Sequence, residues 1–224
     1  MMFIVFGLIA DCHIKKQPMV HALVPIKSLT EAKTRLAPLL SPTDRVELAL
    51  AMLADVLNAL TATIVIGKIS VISSDKQAAT VAQQFGTELI RDNGELNAAL
   101  TRAATACFNA DARPLIVFAD LPLATPAEFS QLVGYGNVAD VVLARAADNG
   151  TNAMLTAPGF PLLFGSNSLV RHLHAAEQLG LHARVVDLSG LSRDIDQPAD
   201  LWWLAERGAT TQAGRFAKTM LARL

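Results

Sequence analysis

Cysteine is scarce: the 224-residue chain carries two, Cys12 and Cys107. They form neither a metal-ligand spacing nor a disulfide framework, which points to a reducing compartment and a cytoplasmic protein. Charge imbalance is missing too, with 19 basic and 20 acidic side chains and a net charge of −1. Such a balance argues against a nucleic-acid or membrane-surface binder, so any phosphate recognition has to come from a local cluster of Lys and Arg. No run is long enough to span a bilayer. Met1 to Ala10 is apolar but short, lacks a positive n-region, and leads into Asp11-Cys12 rather than a small-residue cleavage site. There is no internal repeat, no low-complexity tract and no linker that would split the chain. Residue order alone yields no Ser-His-Asp or Cys-His arrangement.

What is present is apolar and regularly punctuated. Apolar residues make up 52 % of the chain, enough for a large core and against disorder. Met19 directly precedes the first convincing strand, His21 to Ile26. Residues 1–18 are therefore expected to be a poorly ordered extension or an over-called start, with one domain over 19–224. Ser41-Pro42 reads as an N-cap and first helical residue. Leu48, Met52, Val56 and Leu60, with Leu53 and Leu57 beside them, supply an apolar helix face. Further helices are expected from Asp75 to Phe85, closed by Gly86, from Leu96 to Ala110, after Thr125-Pro126, from Leu169 to Leu179, and after Pro198. Strands are expected at Val71-Ile72 (with Ile64 to Ile69 as a bent continuation or a connection), 88–90, 115–119, 140–144 and 184–188. This alternation predicts an α/β fold: a single-domain, mostly parallel sheet with helices on both faces.

Three groups of residues could carry chemistry. The run Leu115 to Ala119 leads straight into Asp120, and ligands of open α/β sheets sit off the carboxyl ends of strands. Thr125-Pro126 already supplies a helix start, so Asp120 is not needed as a cap, although a turn Asp is the plain alternative. Asp194-Ile195-Asp196, if extended, points both carboxylates one way and Ile195 toward the core. Paired hard oxygen ligands suit Mg²⁺; the alternative is a solvated turn with a capping Asp before Gln197-Pro198. Lys27, Lys33 and Arg35 follow the first strand, where cations suit a nucleotide phosphate chain. No glycine stands between Val24 and Pro38, which excludes a Walker A loop or a dinucleotide fingerprint.

Gly150-Thr151-Asn152 and Gly165-Ser-Asn-Ser168 read as turns with backbone donors and hydroxyls, the second entering a helix whose N-terminus favours anions. His172 and His174 are two apart on that helix and point to different faces, so one packs and the other is solvated. Trp202 and Trp203 read as core or subunit-contact residues, and Cys107 as core.

Taken in order, Val24-Pro-Ile-Lys27-Ser-Leu-Thr-Glu-Ala-Lys33-Thr-Arg35-Leu-Ala-Pro38, Gly94-Glu-Leu-Asn97-Ala-Ala-Leu100, Ala119-Asp120-Leu-Pro122, Gly150-Thr-Asn-Ala153, Phe164-Gly165-Ser-Asn-Ser168-Leu-Val-Arg-His172 and Asp194-Ile-Asp196-Gln-Pro-Ala-Asp-Leu201 resemble the guanylyltransferases of coenzyme F420 biosynthesis. The resemblance runs roughly from Val20 to Leu201. It implies a nucleotidyltransferase fold related to sugar-nucleotide transferases. It also implies GMP transfer from GTP to a small phosphorylated carboxylic acid: 2-phospho-L-lactate, phosphoenolpyruvate or 3-phospho-D-glycerate. By the same resemblance Asp120, Asp194 and Asp196 would hold Mg²⁺, and Lys27, Lys33 and Arg35 would face the GTP phosphates. Thr151, Gly165 and Ser168 would hold the acceptor, and Asn97 would lie near the nucleoside. A homodimer agrees with the resemblance and with the apolar region Trp202 to Leu224. Two positions depart from the family pattern: Asn167 stands where glycine is usual, and the turn Asp148-Asn-Gly150 is short. Rival readings are a nucleotidyltransferase for a sugar phosphate or a molybdenum-cofactor precursor, a glycosyltransferase, and a non-catalytic nucleotide-binding module.

Overall fold

The computed structural model describes residues 18–91 and 94–223. All of the expected extension except Pro18 lies outside the described residues, as do Cys12 and two residues, Asp92 and Asn93, of the turn expected before Gly94. The first strand, β1 (Met19–Pro25), takes in Met19 and Val20 ahead of the expected start at His21 and ends one residue before Ile26.

Seven strands form one sheet. After β1 come β2 (Ile66–Ile72), β3 (Glu88–Ile90), β4 (Ala112–Val117), β5 (Val141–Arg145), β6 (Thr151–Leu155) and β7 (Ala183–Val186). Their order across the sheet is β3-β2-β1-β4-β6-β5-β7. Four pairings are parallel; β6 runs antiparallel to both of its neighbours, β4 and β5. The direction of β6 matters for function. The other strands finish at one edge of the sheet, so the start of β6, Thr151, lies at that same edge. The sequence reading has only a turn at 148–152 and no strand after it. The five β6 residues are all buried, so they show no inside–outside alternation to mark them.

Helices cover both faces. On one side lie α1 (Pro42–Thr61), α2 (Lys76–Gln84), α4 (Pro126–Tyr135), α6 (Pro198–Arg207) and α7 (Gln212–Leu221); on the other, α3 (Leu96–Asn109) and α5 (Ser168–Gln178). Strand alternation divides the core accordingly. Ala22, Val24, Leu115 and Val117 join the first cluster, while Leu23 and Ile116 join the second. The expected α1 face is buried throughout, with Leu48, Met52, Leu53, Val56, Leu57 and Leu60 all at most 1 % exposed. Each such side chain contributes roughly 1.5–3 kcal/mol through burial, so packing rather than propensity holds this helix.

The helix starts follow their capping residues. Ser41 with Asp44 and Thr125 with Glu128 form reciprocal capping boxes, each followed by Pro. Asp75 caps α2 through Gln77 N–H and Ala78 N–H. Ile64 to Ile69 divides between the two alternatives: Ile64 and Val65 lie in the turn after α1, and β2 runs unbroken from Ile66. Cys107 is buried in the second cluster, with its sulfur 3.2 Å from His21 Nδ1; His21 Nε2 lies 2.8 Å from Ser70 Oγ.

Candidate active site

β4 ends at Val117, and Asp120 follows in the turn that leads toward α4. Asp120 does not cap that helix, because Thr125 does. Its backbone carbonyl instead accepts from Ile195 N–H at 3.2 Å. That single bond lays the Asp194-Ile195-Asp196 segment alongside the end of β4. Ile195 is fully buried while Asp194 and Asp196 are partly exposed, as the i, i+2 spacing requires. The capping alternative for these acids does not hold: the N-cap of α6 is Gln197, and its reciprocal partner is Asp200.

Several contacts hold the returning segment in place. Glu128, besides its role in the α4 cap, accepts from Gly190 N–H at 2.7 Å and from Ser189 Oγ at 3.3 Å. Asn152 donates to the Leu191 carbonyl at 3.0 Å, and Ala147 N–H donates to the Ser192 carbonyl at 2.7 Å. Arg193 pairs with Asp200 at 2.8 Å. None of these supports is marked in the sequence by a motif of its own.

The basic loop reaches the same place from β1. It contains two short 3-10 turns, Leu29–Glu31 and Thr34–Leu36. Asp75 ties it down by accepting from Leu29 N–H at 3.2 Å, and Arg45 by donating to the carbonyls of Ala32 and Leu40. Lys33 adopts a left-handed backbone conformation with φ 52, which is strained for a lysine. Its ammonium lies 2.6 Å from Asp120 Oδ2 and 3.8 Å from Asp196 Oδ1, with the side chain only 12 % exposed. Those two carboxylate oxygens are therefore no farther apart than the sum of the two distances; one ion with ligand bonds near ~2 Å would need two such oxygens within ~4 Å of each other. Arg35 donates to Asp196 Oδ2 at 2.6 Å from an otherwise exposed position. Lys27 is exposed at the start of the loop.

Electrostatics agree with this convergence. Burial would lower the Lys33 pKa, but the Asp120 carboxylate, with Asp196 and Asp194, outweighs it and raises it. Burial pushes the Asp194 carboxyl up, and the negative charge of Asp120 pushes it further. The acids thus tolerate, and call for, a cation among them. Among the described residues, no three acidic, His or Cys side chains form a ready-made metal cage; the carboxylates are arranged around the Lys33 ammonium instead. In donor type and in charge they suit a hard divalent ion.

The second half of the site lies across the edge, at Thr151 and the loop entering α5. Thr151 and Ser168 are both buried. Gly165 has φ +124, a conformation that a residue with a Cβ rarely adopts. Asn167 takes φ 55 just before α5. The left-handed conformation there is one that glycine adopts freely and that asparagine tolerates better than most residues with a side chain. The short turn is ordered by an Asx contact, Gly150 N–H to Asp148 Oδ1 at 2.8 Å. Asn97 brackets Phe164, donating to its carbonyl at 3.1 Å and accepting from its N–H at 3.0 Å. It is thereby an anchor of the loop that carries Gly165.

As expected, one histidine packs and the other is solvated: His172 is fully buried, and His174 is exposed beside Glu177. Trp203 packs against the core, stacked by Arg193 and Arg207, while Trp202 is half exposed.

The comparisons with known proteins fit this geometry. A family model described as "Guanylyl transferase CofC like" matches residues 20–222. The chain is 42 % identical over 206 residues to a phosphoenolpyruvate guanylyltransferase of Roseiflexus castenholzii, covering 91 % of this chain and 96 % of the relative. It is 36 % identical over 202 residues to a 2-phospho-L-lactate guanylyltransferase of Methanothermobacter thermautotrophicus, covering 89 % and 90 %. Among solved structures, a protein described as a nucleotide-diphospho-sugar transferase from Desulfovibrio desulfuricans superposes with a TM-score of 0.76 at 13 % identity, over 91 % of this chain and 95 % of that one; this likeness bears on the fold. With a family model spanning nearly the whole sheet and relatives similar along nearly their whole length, the chain belongs to the CofC-like guanylyl transferase family.

Proposed function

We propose that this nucleotidyltransferase moves GMP from GTP onto a small phosphorylated carboxylic acid, with phosphoenolpyruvate as the favoured acceptor, as a step of coenzyme F420 biosynthesis. The observation that carries the reading is the meeting of Lys33, Asp120 and Asp196 at the end of β4, beside a second, hydroxyl-bearing half-site at Thr151 and Ser168. Phosphoenolpyruvate is favoured because the Roseiflexus relative at 42 % identity carries that name. 2-Phospho-L-lactate and 3-phospho-D-glycerate are the acceptors to test against it.

In the proposed reaction an oxygen of the acceptor phosphate attacks the α-phosphorus of GTP in line. One P–O bond forms to the acceptor, the bond to the β-phosphate oxygen breaks, and pyrophosphate leaves. The attacking phosphate is ionised near neutral pH, so no general base is needed. Among the described residues, the buried histidine beside Thr151, His172, has both ring nitrogens engaged by protein groups, which agrees with that. Lys27, Lys33 and Arg35 supply positive charge to the triphosphate, and the strained, pinned loop pre-orients them. Thr151, Gly165 and Ser168 receive the acceptor at the start of β6 and the N-terminus of α5, where backbone N–H groups favour anions. Asn97 has a second amide hydrogen left for the nucleoside. Asp120, Asp194 and Asp196 would hold Mg²⁺, which when bound supplies charge neutralisation at the transferring phosphoryl group.

The test is pyrophosphate release from each of the four nucleoside triphosphates with each acceptor, with and without Mg²⁺. GTP with phosphoenolpyruvate and Mg²⁺ is expected to give the fastest release. Release with a sugar phosphate instead, or GTP binding without any release, would replace this reading with one of its rivals.

A further inference from the structure

We infer that His172 is a positioning residue that sets the direction of the Thr151 hydroxyl, so that its hydrogen points to an anionic group of the acceptor. The inference rests on the proposal that Thr151 contacts the acceptor.

The hydrogen-bond partners of the ring determine its tautomer. Leu163 N–H lies 2.9 Å from His172 Nε2, and a backbone N–H can only donate. Nε2 is therefore the lone-pair nitrogen, and in the neutral ring the hydrogen sits on Nδ1. Nδ1 lies 3.1 Å from Thr151 Oγ1, so the ring donates and the hydroxyl accepts. The side chain is fully buried, with Phe160 and Phe164 ring centroids at 6.0 and 5.1 Å. Burial, and after it the positive charge of Arg171, its neighbour in sequence, favour the neutral form.

A hydroxyl that accepts from an imidazole N–H has its own hydrogen turned elsewhere. Among the described residues no second protein partner engages Thr151 Oγ1. The oxygen sits at the start of β6, on the sheet edge where Asp120 and the 194–196 segment lie. A hydroxyl polarised by an accepted bond is also a better donor. It suits a carboxylate or phosphate oxygen and disfavours a group that can only donate.

The same ring fixes the other half of the pocket. His172 is one helical turn from Ser168 on the buried face of α5. Through Leu163 N–H it holds the strand of loop just before Phe164 and Gly165. One side chain thus ties β6 to the loop bearing the other two proposed acceptor contacts. A histidine that only linked these pieces would weaken acceptor binding to the same degree whether or not residue 151 carried a hydroxyl, so a cycle with Thr151 separates the two roles.

The test is a double-mutant cycle on the full chain, with KM measured separately for GTP and for phosphoenolpyruvate. His172→Phe keeps an aromatic ring and removes both hydrogen bonds; Thr151→Val removes the hydroxyl and keeps its shape. Each single change is expected to raise the phosphoenolpyruvate KM at least tenfold while the GTP KM stays within twofold. The pair together is expected to do less damage than the product of the two single effects, because part of the histidine's effect passes through the hydroxyl. Parallel rises in both KM values, or effects on the acceptor that multiply, would overturn the inference. Should His172→Phe fail to fold, nitrogen NMR of the wild-type protein decides: a neutral ring protonated on Nδ1 supports it, and one protonated on Nε2 refutes it. An active wild-type enzyme with a multiplicative cycle removes this inference alone; a wild type with no acceptor-dependent turnover removes the functional reading and this inference with it.

Discussion

The Lys33 ammonium sits 2.6 Å from the Asp120 carboxylate, across 87 positions of sequence. Asp196 lies 3.8 Å from the same ammonium and is also paired with Arg35, so Lys33 is the cation shared by two carboxylates. If a divalent ion takes its place among the acids, Lys33 becomes free to meet the triphosphate. The variant Lys33→Met should then have a lower melting temperature than wild type without divalent ions, because facing carboxylates lose their cation. Adding Mg²⁺ should raise the melting temperature of Lys33→Met by more than it raises that of wild type. Equal shifts in thermal melts would argue against a shared cation position.

Glu128 links the α4 cap to the loop before the acidic pair. Removing its carboxylate in Glu128→Ala leaves Gly190 N–H and the helix start without a partner. A stability loss of about 1–3 kcal/mol is expected, read from urea midpoints, together with lower turnover. Unchanged turnover in the folded variant would show that the 189–196 segment keeps its place without this anchor.

Asn167 occupies a left-handed position. Asn167→Gly should fold and work as well as wild type, whereas Asn167→Ala should lose roughly 1–2 kcal/mol of stability from the backbone conformation. Denaturant titrations of the two variants side by side provide the comparison, and an alanine variant as stable as the glycine one would contradict the assignment.

The pH dependence of stability has a definite sign at His172. Burial first, then the positive charge of Arg171, holds its pKa at about 4, against the ordinary 6.5. Below pH 6.5 the unfolded chain takes up a proton that the folded protein refuses, so stability is complete above that pH and falls as pH drops toward 4. At pH 5 the loss is about 2 kcal/mol relative to pH 7.5. Burial lowers the His21 pKa as well, adding a slope of the same sign. The melting temperature of His172→Phe should therefore fall less between pH 7.5 and 5 than that of wild type; an equal fall would mean the ring is not held neutral.

Much of the fold was legible because its signals are local. Ser41-Pro42 and Thr125-Pro126 start their helices where capping chemistry puts them, and the Leu48 to Leu60 stripe is buried as its spacing demands. The acids were legible by position, as carboxylates at the end of an apolar run or flanking a buried Ile195. β6 was not, because a strand buried on both faces loses its alternation. Nor were the anchors: Glu128, Asn152 and Arg45 act through backbone groups far away in sequence, and pattern carries no trace of such contacts. The αL conformation of Lys33 was equally hidden, since a lysine gives no sign of the positive φ that a glycine would advertise.

The central claim is that Asp120 and Asp196, gathered around one cationic position, drive transfer of GMP to an acceptor phosphate. Phosphorus NMR of reactions containing GTP, phosphoenolpyruvate and Mg²⁺ tests it most directly. Wild type should yield a new P–O–P linkage together with inorganic pyrophosphate. Asp120→Asn and Asp196→Asn should fold normally yet lose at least 10²-fold in rate, the scale of removing one electrostatic element from a site of this kind. Asparagine variants that form the linkage at the wild-type rate would contradict the account.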